Sequence, residues 1–314
     1  MRLVKKSWPC MFLLLMACTN GAEKPLSGIK HVFVIGIDGM SSQGLRTAET
    51  PNMDYMMANG TVCWSVRTVL PSVSAPNWAS MLAGAGTEVH GITSNNWKPD
   101  QHTLEPVATS GEHNMFPTVV YVVRKQRPED KIGMIYHWTG FGILFEKGIA
   151  SVDINCKTQM ETTQALADYI RSEKPTFTFT QLDDVDHAGH EFGHMTEEYL
   201  KSIQEVDQCV HLIYQAVKDA GIENESLIMI VSDHGGIGKG HGGNTLEEVT
   251  TPVILYGKNV KKNHEIALPV YMYDVAPTIV YALGLKAPSI WRGKAMRSAF
   301  CGYEDAEEPF TIKK

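Results

Sequence analysis

The chain has 314 residues, 43% of them hydrophobic and 20% charged, enough apolar material for a large buried core, which excludes a chain disordered throughout. Its formal charge of -7 lacks the basic footprint of proteins that grip a phosphate backbone, so no nucleic-acid polymer is expected as a partner.

In chain order, the first segment reads as a leader. Arg2, Lys5 and Lys6 precede an apolar run from Met11 to Ala17, which fits a secretory signal and is too short to span a bilayer. The run closes on Leu15-Met16-Ala17-Cys18, which resembles the bacterial lipobox, whose cysteine becomes the acylated first residue. The expected division is a lipoprotein-type signal peptide over 1–17, a polar tether over 18–28 and one catalytic domain over 29–314. The expected location is the bacterial periplasm or cell surface, with membrane contact through lipidated Cys18. Cleavage removes three positive charges and no negative ones, moving the formal charge from -7 to -10. Cys63, Cys156, Cys209 and Cys301 are widely spaced, with no C-x-x-C pair; they allow three disulfide pairings, and the sequence does not choose among them.

After the tether, His31 to Ile37 is a β-branched apolar run of the kind buried on both faces of a parallel sheet, and it stops at Asp38-Gly39. Further strands are expected at 131–136, 176–181, 227–232 and 252–255, with helices at 52–59, 77–83, 115–125, 160–171, 196–220 and 274–283. The alternation predicts an α/β fold with a mostly parallel central sheet covered by helices. The clearest helix opens at Thr196, with Glu197 and Glu198 in its first turn, and ends at Gly221.

Ligands of such sheets bind beyond the carboxyl ends of the strands. Three strands end in polar clusters: Asp38; Asp183-Asp184-Val185-Asp186-His187-Ala188-Gly189-His190; and Asp233-His234-Gly235-Gly236. A lone aspartate there is an ordinary turn former or helix cap. Three strand ends delivering carboxylates, two of them with histidines, instead match the ligand chemistry of catalytic zinc. Asp186 and His190 are four apart, so a helical turn or a compact loop could aim both at one ion. His241, among glycines, adds another imidazole. His187 and His194 flank the strongest cluster as supporting or substrate groups, whereas His31, His102, His113, His211 and His264 carry no pattern.

These segments resemble the alkaline phosphatase superfamily, most closely its type I phosphodiesterase/nucleotide pyrophosphatase branch, over roughly residues 30–285. The matching motifs are Gly36-Ile37-Asp38-Gly39, Leu70-Pro71-Ser72-Val73-Ser74-Ala75-Pro76-Asn77, His90-Gly91-Ile92-Thr93-Ser94-Asn95-Asn96, Asp186 to His190, Ser232 to Gly235 and Gly240-His241-Gly242. The resemblance implies a three-layer sandwich, with the sheet between helices on both faces. It also implies two divalent ions, zinc by preference: one held by Asp186, His190 and His241, the other by Asp38, Asp233, His234 and the oxygen of Ser74. Ser74 falls where this branch commonly carries threonine as nucleophile, and Asn95 matches the asparagine that donates to a phosphoryl oxygen. A serine hydroxyl is a weak nucleophile near neutral pH, and a nearby divalent ion favours its alkoxide. By position alone Ser74 is also a helix N-cap, which would add backbone amides near a bound phosphate.

The implied activity is hydrolysis of a small phosphate ester, nucleotides included, through a phosphoseryl intermediate, with diesters or pyrophosphates favoured over monoesters. His241 follows His234 by only seven positions, shorter than in longer relatives, which leaves less material for recognising a nucleotide. Lys239 is the basic side chain placed to match a monoester's second charge. A sulfatase would need an arginine where Trp78 stands, a phosphoglycerate mutase conflicts with the leader, and a non-catalytic surface lipoprotein conflicts with the intact ligand set. Trp78, Trp97, Trp138 and Phe192 are the apolar rings near these motifs that could stack on a base or pack in the core.

Overall fold

The computed structural model describes residues 26, 28–111 and 114–304. The leader over 1–17 and the acceptor Cys18 lie outside the described residues, as does His113. In chain order the elements are β1 (His31–Ile37), α1 (Ser42–Thr47), α2 (Pro51–Ala58), β2 (Thr61–Arg67), α3 (Ser74–Ala83), α4 (Thr87–His90), α5 (Val119–Gln126), β3 (Ile132–Tyr136) and β4 (Val152–Asn155). There follow α6 (Gln159–Glu173), β5 (Phe177–Leu182), α7 (Asp184–Phe192), α8 (Glu197–Asp219), β6 (Ser226–Val231), α9 (Leu246–Val249), β7 (Thr250–Gly257), β8 (His264–Glu265) and α10 (Val275–Ala282).

The strands form one sheet in the order β4-β3-β5-β1-β6-β7-β2-β8, parallel throughout except for β7, which runs against both β6 and β2. Alternate side chains of β1 feed opposite cores, which is the period-two rule applied to a strand covered on both faces. Val32 and Val34 pack with α3, α5 and α10, while Phe33, Ile35 and Ile37 pack with α1, α2, α6 and α8. The helix-sheet-helix sandwich therefore follows from the strand itself.

Three differences from the sequence expectation have local causes. β2 was not expected because its alternation breaks at a register shift between Cys63 and Val66. The helix expected from 115 begins only at Val119, since Pro117 keeps the residue before it out of the helical region and Thr118 is extended. The cluster after β5 is a full helix, α7, and not a single turn or loop. The helix expected at 196–220 is α8, with Thr196 as its cap, its Oγ1 accepting from the Tyr199 N–H.

Two buried contacts fix the frame around the strand ends. The carboxylate of Asp207 on α8, fully buried, accepts from the backbone N–H groups of Asn52 and Met53 and so caps α2 from another helix. Gly36, near the end of β1, leaves room for the Trp78 ring: a Cβ there would stand 2.6 Å from that ring and 3.0 Å from the Thr180 carbonyl oxygen. Gly36→Ala should therefore overpack the centre of the sheet and lower the unfolding free energy by about 1–3 kcal/mol. Urea unfolding followed by tryptophan fluorescence measures this, and an unchanged midpoint would mean that Trp78 yields without cost.

Candidate active site

β1, β5 and β6 are neighbours, so their carboxyl ends deliver three groups of side chains to one place. Asp38 follows β1 directly. Asp186 and His190 lie on one face of α7, and Asp233 and His234 follow β6. Gly39 has a left-handed φ of 68°, and a Cβ on it would come within 2.8 Å of three Asp186 atoms, so glycine is what lets α7 approach β1.

His234 Nε2 lies 3.3 Å from Asp38 Oδ1, 3.2 Å from Asp233 Oδ2 and 3.3 Å from Ser74 Oγ. His190 Nε2 lies 3.2 Å from Asp186 Oδ2 and 3.1 Å from His241 Nε2, and His241 Nε2 lies 3.8 Å from Asp186 Oδ1. The rings of His234 and His241 stack at 3.7 Å, joining the two groups. Asp186 belongs to both: its carboxylate comes within 4.8 Å of the ligand atoms of His190 and His241, and of those of Asp38 and His234.

The outer atoms of these residues are anchored and the inner ones are not. Asp38 Oδ2 accepts from Trp78 Nε1 (3.0 Å) and Gln181 Nε2 (2.9 Å), and Asp233 Oδ1 accepts from the Gly39 N–H (3.1 Å). The Nδ1 atoms of His190, His234 and His241 lie 3.0, 2.9 and 2.9 Å from the carbonyl oxygens of Lys239, Gly235 and Ser72. Each carbonyl needs a proton on Nδ1, which turns the Nε2 lone pair inward in the neutral ring. Facing these nitrogens, Asp38 Oδ1, Asp186 Oδ1 and Asp233 Oδ2 are buried without a hydrogen-bond donor. Buried acceptors aimed at one another are costly, and a cation is what such a donor set accommodates.

Protonation follows the same crowding. Burial, then the charges of Asp233, Asp186 and Asp183, push the Asp38 carboxyl well above the usual range, against the Trp78 hydrogen bond. Burial and the Asp186 charge do the same to Asp233. For Asp186 burial raises the pKa, but the bond to His190 and the charges of His234, His241 and His190 outweigh it and bring it to about 2. The bond to Asp186 raises His190 to about 9 despite burial, while burial lowers His234 to about 3.

Ser74 does not cap its helix. Val73 occupies the cap position, Ser74 is the first helical residue, and its hydroxyl faces His234. The Ala75 N–H donates to Asn95 Oδ1 (2.8 Å) and Pro76 has none, so neither position offers an amide to an anion. Because the Asn95 oxygen is the acceptor in that bond, its NH2 is left to donate elsewhere.

The remaining expectations sort by position. His187 is mostly exposed beside Glu191, whereas His194 is buried against Gly189 and Gly236 with both ring nitrogens unpartnered, and burial lowers its pKa to about 4. Lys239 donates to the Glu191 carbonyl oxygen (2.8 Å). Trp78 is fully buried between Phe141 and Phe179 and Trp97 is buried, so neither ring is a base-stacking surface; Trp138 is half-buried and Phe192 exposed. Cys63, Cys156, Cys209 and Cys301 are not joined by disulfides among the described residues. No helix among the described residues is long and apolar enough to cross a membrane.

A sequence model of the type I phosphodiesterase / nucleotide pyrophosphatase family matches residues 32–239. The chain belongs to that family. The match covers the strand-end clusters from Asp38 to His234 and stops short of His241, so only the fold brings that histidine to Asp186 and His190. Among relatives, mouse ectonucleotide pyrophosphatase/phosphodiesterase family member 3 is 22% identical over 240 residues, 70% of this chain and 26% of that protein. This chain thus spans about a quarter of that relative's length. The fold of inactive murine ectonucleotide pyrophosphatase/phosphodiesterase 5, in complex with AMP, superposes with a TM-score of 0.70 at 14% identity, covering 86% of this chain and 98% of that one. A mutant of the alkaline phosphatase PafA gives 0.72 at 12% identity, covering 90% and 100%.

His90, Asn77 and Gln181 have structural roles that no sequence pattern assigns them. Asn77 accepts from the Val69 N–H and donates to the Pro71 and Val73 carbonyl oxygens, folding the loop that delivers Ser74. His90 Nε2 lies 2.9 Å from Ser80 Oγ and its Nδ1 accepts from the Ile92 N–H, tying the Asn95 loop to α3. A buried polar residue inside a motif was the signal available. Burial holds His90 neutral and lowers its pKa to about 3, so its contribution to stability is full above the unfolded value near 6.5 and is lost as pH falls toward 3. Between pH 7 and pH 5 this removes about 2 kcal/mol, a loss that His90→Gln should not show. Urea unfolding of both chains, with metal chelated, checks it; parallel pH slopes would refute the assignment.

Proposed function

We propose that this chain is a two-metal phosphohydrolase that cleaves phosphodiesters or pyrophosphates through a phosphoserine on Ser74. The observation that carries the reading is the convergence of unpartnered carboxylate oxygens and inward Nε2 atoms beside the Ser74 hydroxyl. Asp186, His190 and His241 would hold one ion and Asp38, Asp233 and His234, with Ser74 Oγ, the other; the nitrogen and oxygen set suits zinc. The bound ions would lower the hydroxyl pKa of Ser74 and offset the negative charge that develops on the phosphoryl oxygens.

The chain's own groups do the rest. Ser74 Oγ forms the bond to phosphorus as the leaving oxygen departs on the opposite side. Water then cleaves the phosphoserine and restores the hydroxyl. Asn95 is fixed through its oxygen to the start of α3, one residue from Ser74, and its NH2 supplies a neutral donor to a phosphoryl oxygen. Lys239 is turned onto a backbone carbonyl, which leaves a monoester's second negative charge without that partner and favours a diester. The AMP complex of the murine relative is consistent with a nucleotide substrate. The leader ending at Cys18 supports an exported, lipid-anchored protein acting in the periplasm or at the cell surface.

Ser74→Ala should cut turnover by roughly 10³-fold or more while bound zinc, read by elemental analysis, is retained. On the zinc-loaded protein, paired aryl phosphodiester, monoester and sulfate substrates should show a diester preference. A monoester preference would overturn the substrate class, and a Ser74→Ala protein of unchanged activity would overturn the mechanism.

A further inference from the structure

Ser72 is fully buried, two residues before Ser74, and its hydroxyl and carbonyl oxygen both engage the glycine loop that carries His241. Its hydroxyl donates to the Gly243 carbonyl oxygen at 2.7 Å and accepts from the Gly242 N–H at 3.2 Å. Its own carbonyl oxygen receives His241 Nδ1 at 2.9 Å. Val73 closes the contact, since a Cβ on Gly242 would meet its Cγ1 at 3.0 Å. Gly242 has a φ of 112°, so this loop holds a conformation only glycine takes easily, and it is anchored on the Ser72 side by those bonds.

We propose that Ser72 is a positioning residue that sets the tautomer and direction of His241 and ties the histidine loop to the loop of the nucleophile. This rests on the metal reading above. The carbonyl fixes the proton on Nδ1, so Nε2 faces Asp186 and His190 with a lone pair, and the hydroxyl keeps the glycines in register with that carbonyl. An outer partner of a ligating histidine governs affinity for the ion that the histidine holds. Ser72 therefore acts on the ion of Asp186, His190 and His241 and leaves the ion of Asp38, Asp233 and His234 largely alone.

The test titrates metal-free wild type, Ser72→Ala and Ser72→Thr with cobalt(II) alone, following the visible absorption of the bound ion. Ser72→Ala should weaken one of two binding events by about tenfold or more and leave the other in place, and Ser72→Thr, which keeps the hydroxyl, should bind as wild type. Equal weakening of both events, no weakening, or equal loss in both variants overturns the proposal while leaving the metal reading intact. A wild type that takes up no cobalt overturns both. Should Ser72→Ala not fold, the wild type still decides: the Gly242 amide must exchange slowly with solvent deuterium in the metal-free protein, and fast exchange there overturns the clamp.

Discussion

Three aspartate carboxylates, Asp38, Asp186 and Asp233, are forced into one buried space by the adjacency of β1, β5 and β6. Like charges removed from water repel strongly, and the fold does not relieve this by pairing each with a basic side chain. It gives Asp38 and Asp233 donors on one oxygen and leaves the other oxygen bare toward the centre. Burial first and that repulsion second raise the pKa values of Asp38 and Asp233 in the metal-free protein, and a bound cation would replace the protons that otherwise relieve the crowding.

The groups that hold the centre in shape are neutral. Trp78 and Gln181 orient Asp38, Asn77 folds the Ser74 loop, His90 ties the Asn95 loop to α3, and backbone carbonyls orient the three imidazoles. Neutral partners fix geometry without cancelling the negative potential that attracts a cation. Glycine does the complementary work where backbones must come close: Gly36 admits the Trp78 ring, and Gly39 admits α7. A Cβ on Gly39 would press on Asp186, and one on Gly36 would press on the ring that anchors Asp38.

The path from His234 to His241 is short, and the structure shows how so few residues suffice. The Gly235 N–H donates to the Glu248 carbonyl oxygen, the Gly243 N–H donates to the Glu248 carboxylate, and Ser72 takes up the loop between them. His241 reaches Asp186 and His190 by leaning on the Ser72–Ser74 loop. Asn95 is held beside the start of α3 by the Ala75 N–H, one residue from Ser74.

The sequence by itself determined the layered α/β fold and the strand ends at which Asp38, Asp186, Asp233 and their histidines gather, because burial on both faces demands unbroken apolar runs whose abrupt polar ends are visible locally. It also determined the residue types, since their chemistry needs no coordinates. Only the tertiary structure decided which atoms face inward, that Ser74 is not a cap, that Trp78 is an anchor for Asp38 and not a stacking surface, and that Asp186 is shared between the two groups. β2 escaped detection because its alternation breaks at a bulge, and α7 because two histidines and a glycine obscure its helical pattern. The anchoring bonds join residues as far apart as Gln181 and Asp38, separated by 143 positions, and His241 and Ser72, separated by 169. Local propensity acts over a few residues, so contacts of that span exist only once the sheet has brought its strand ends together.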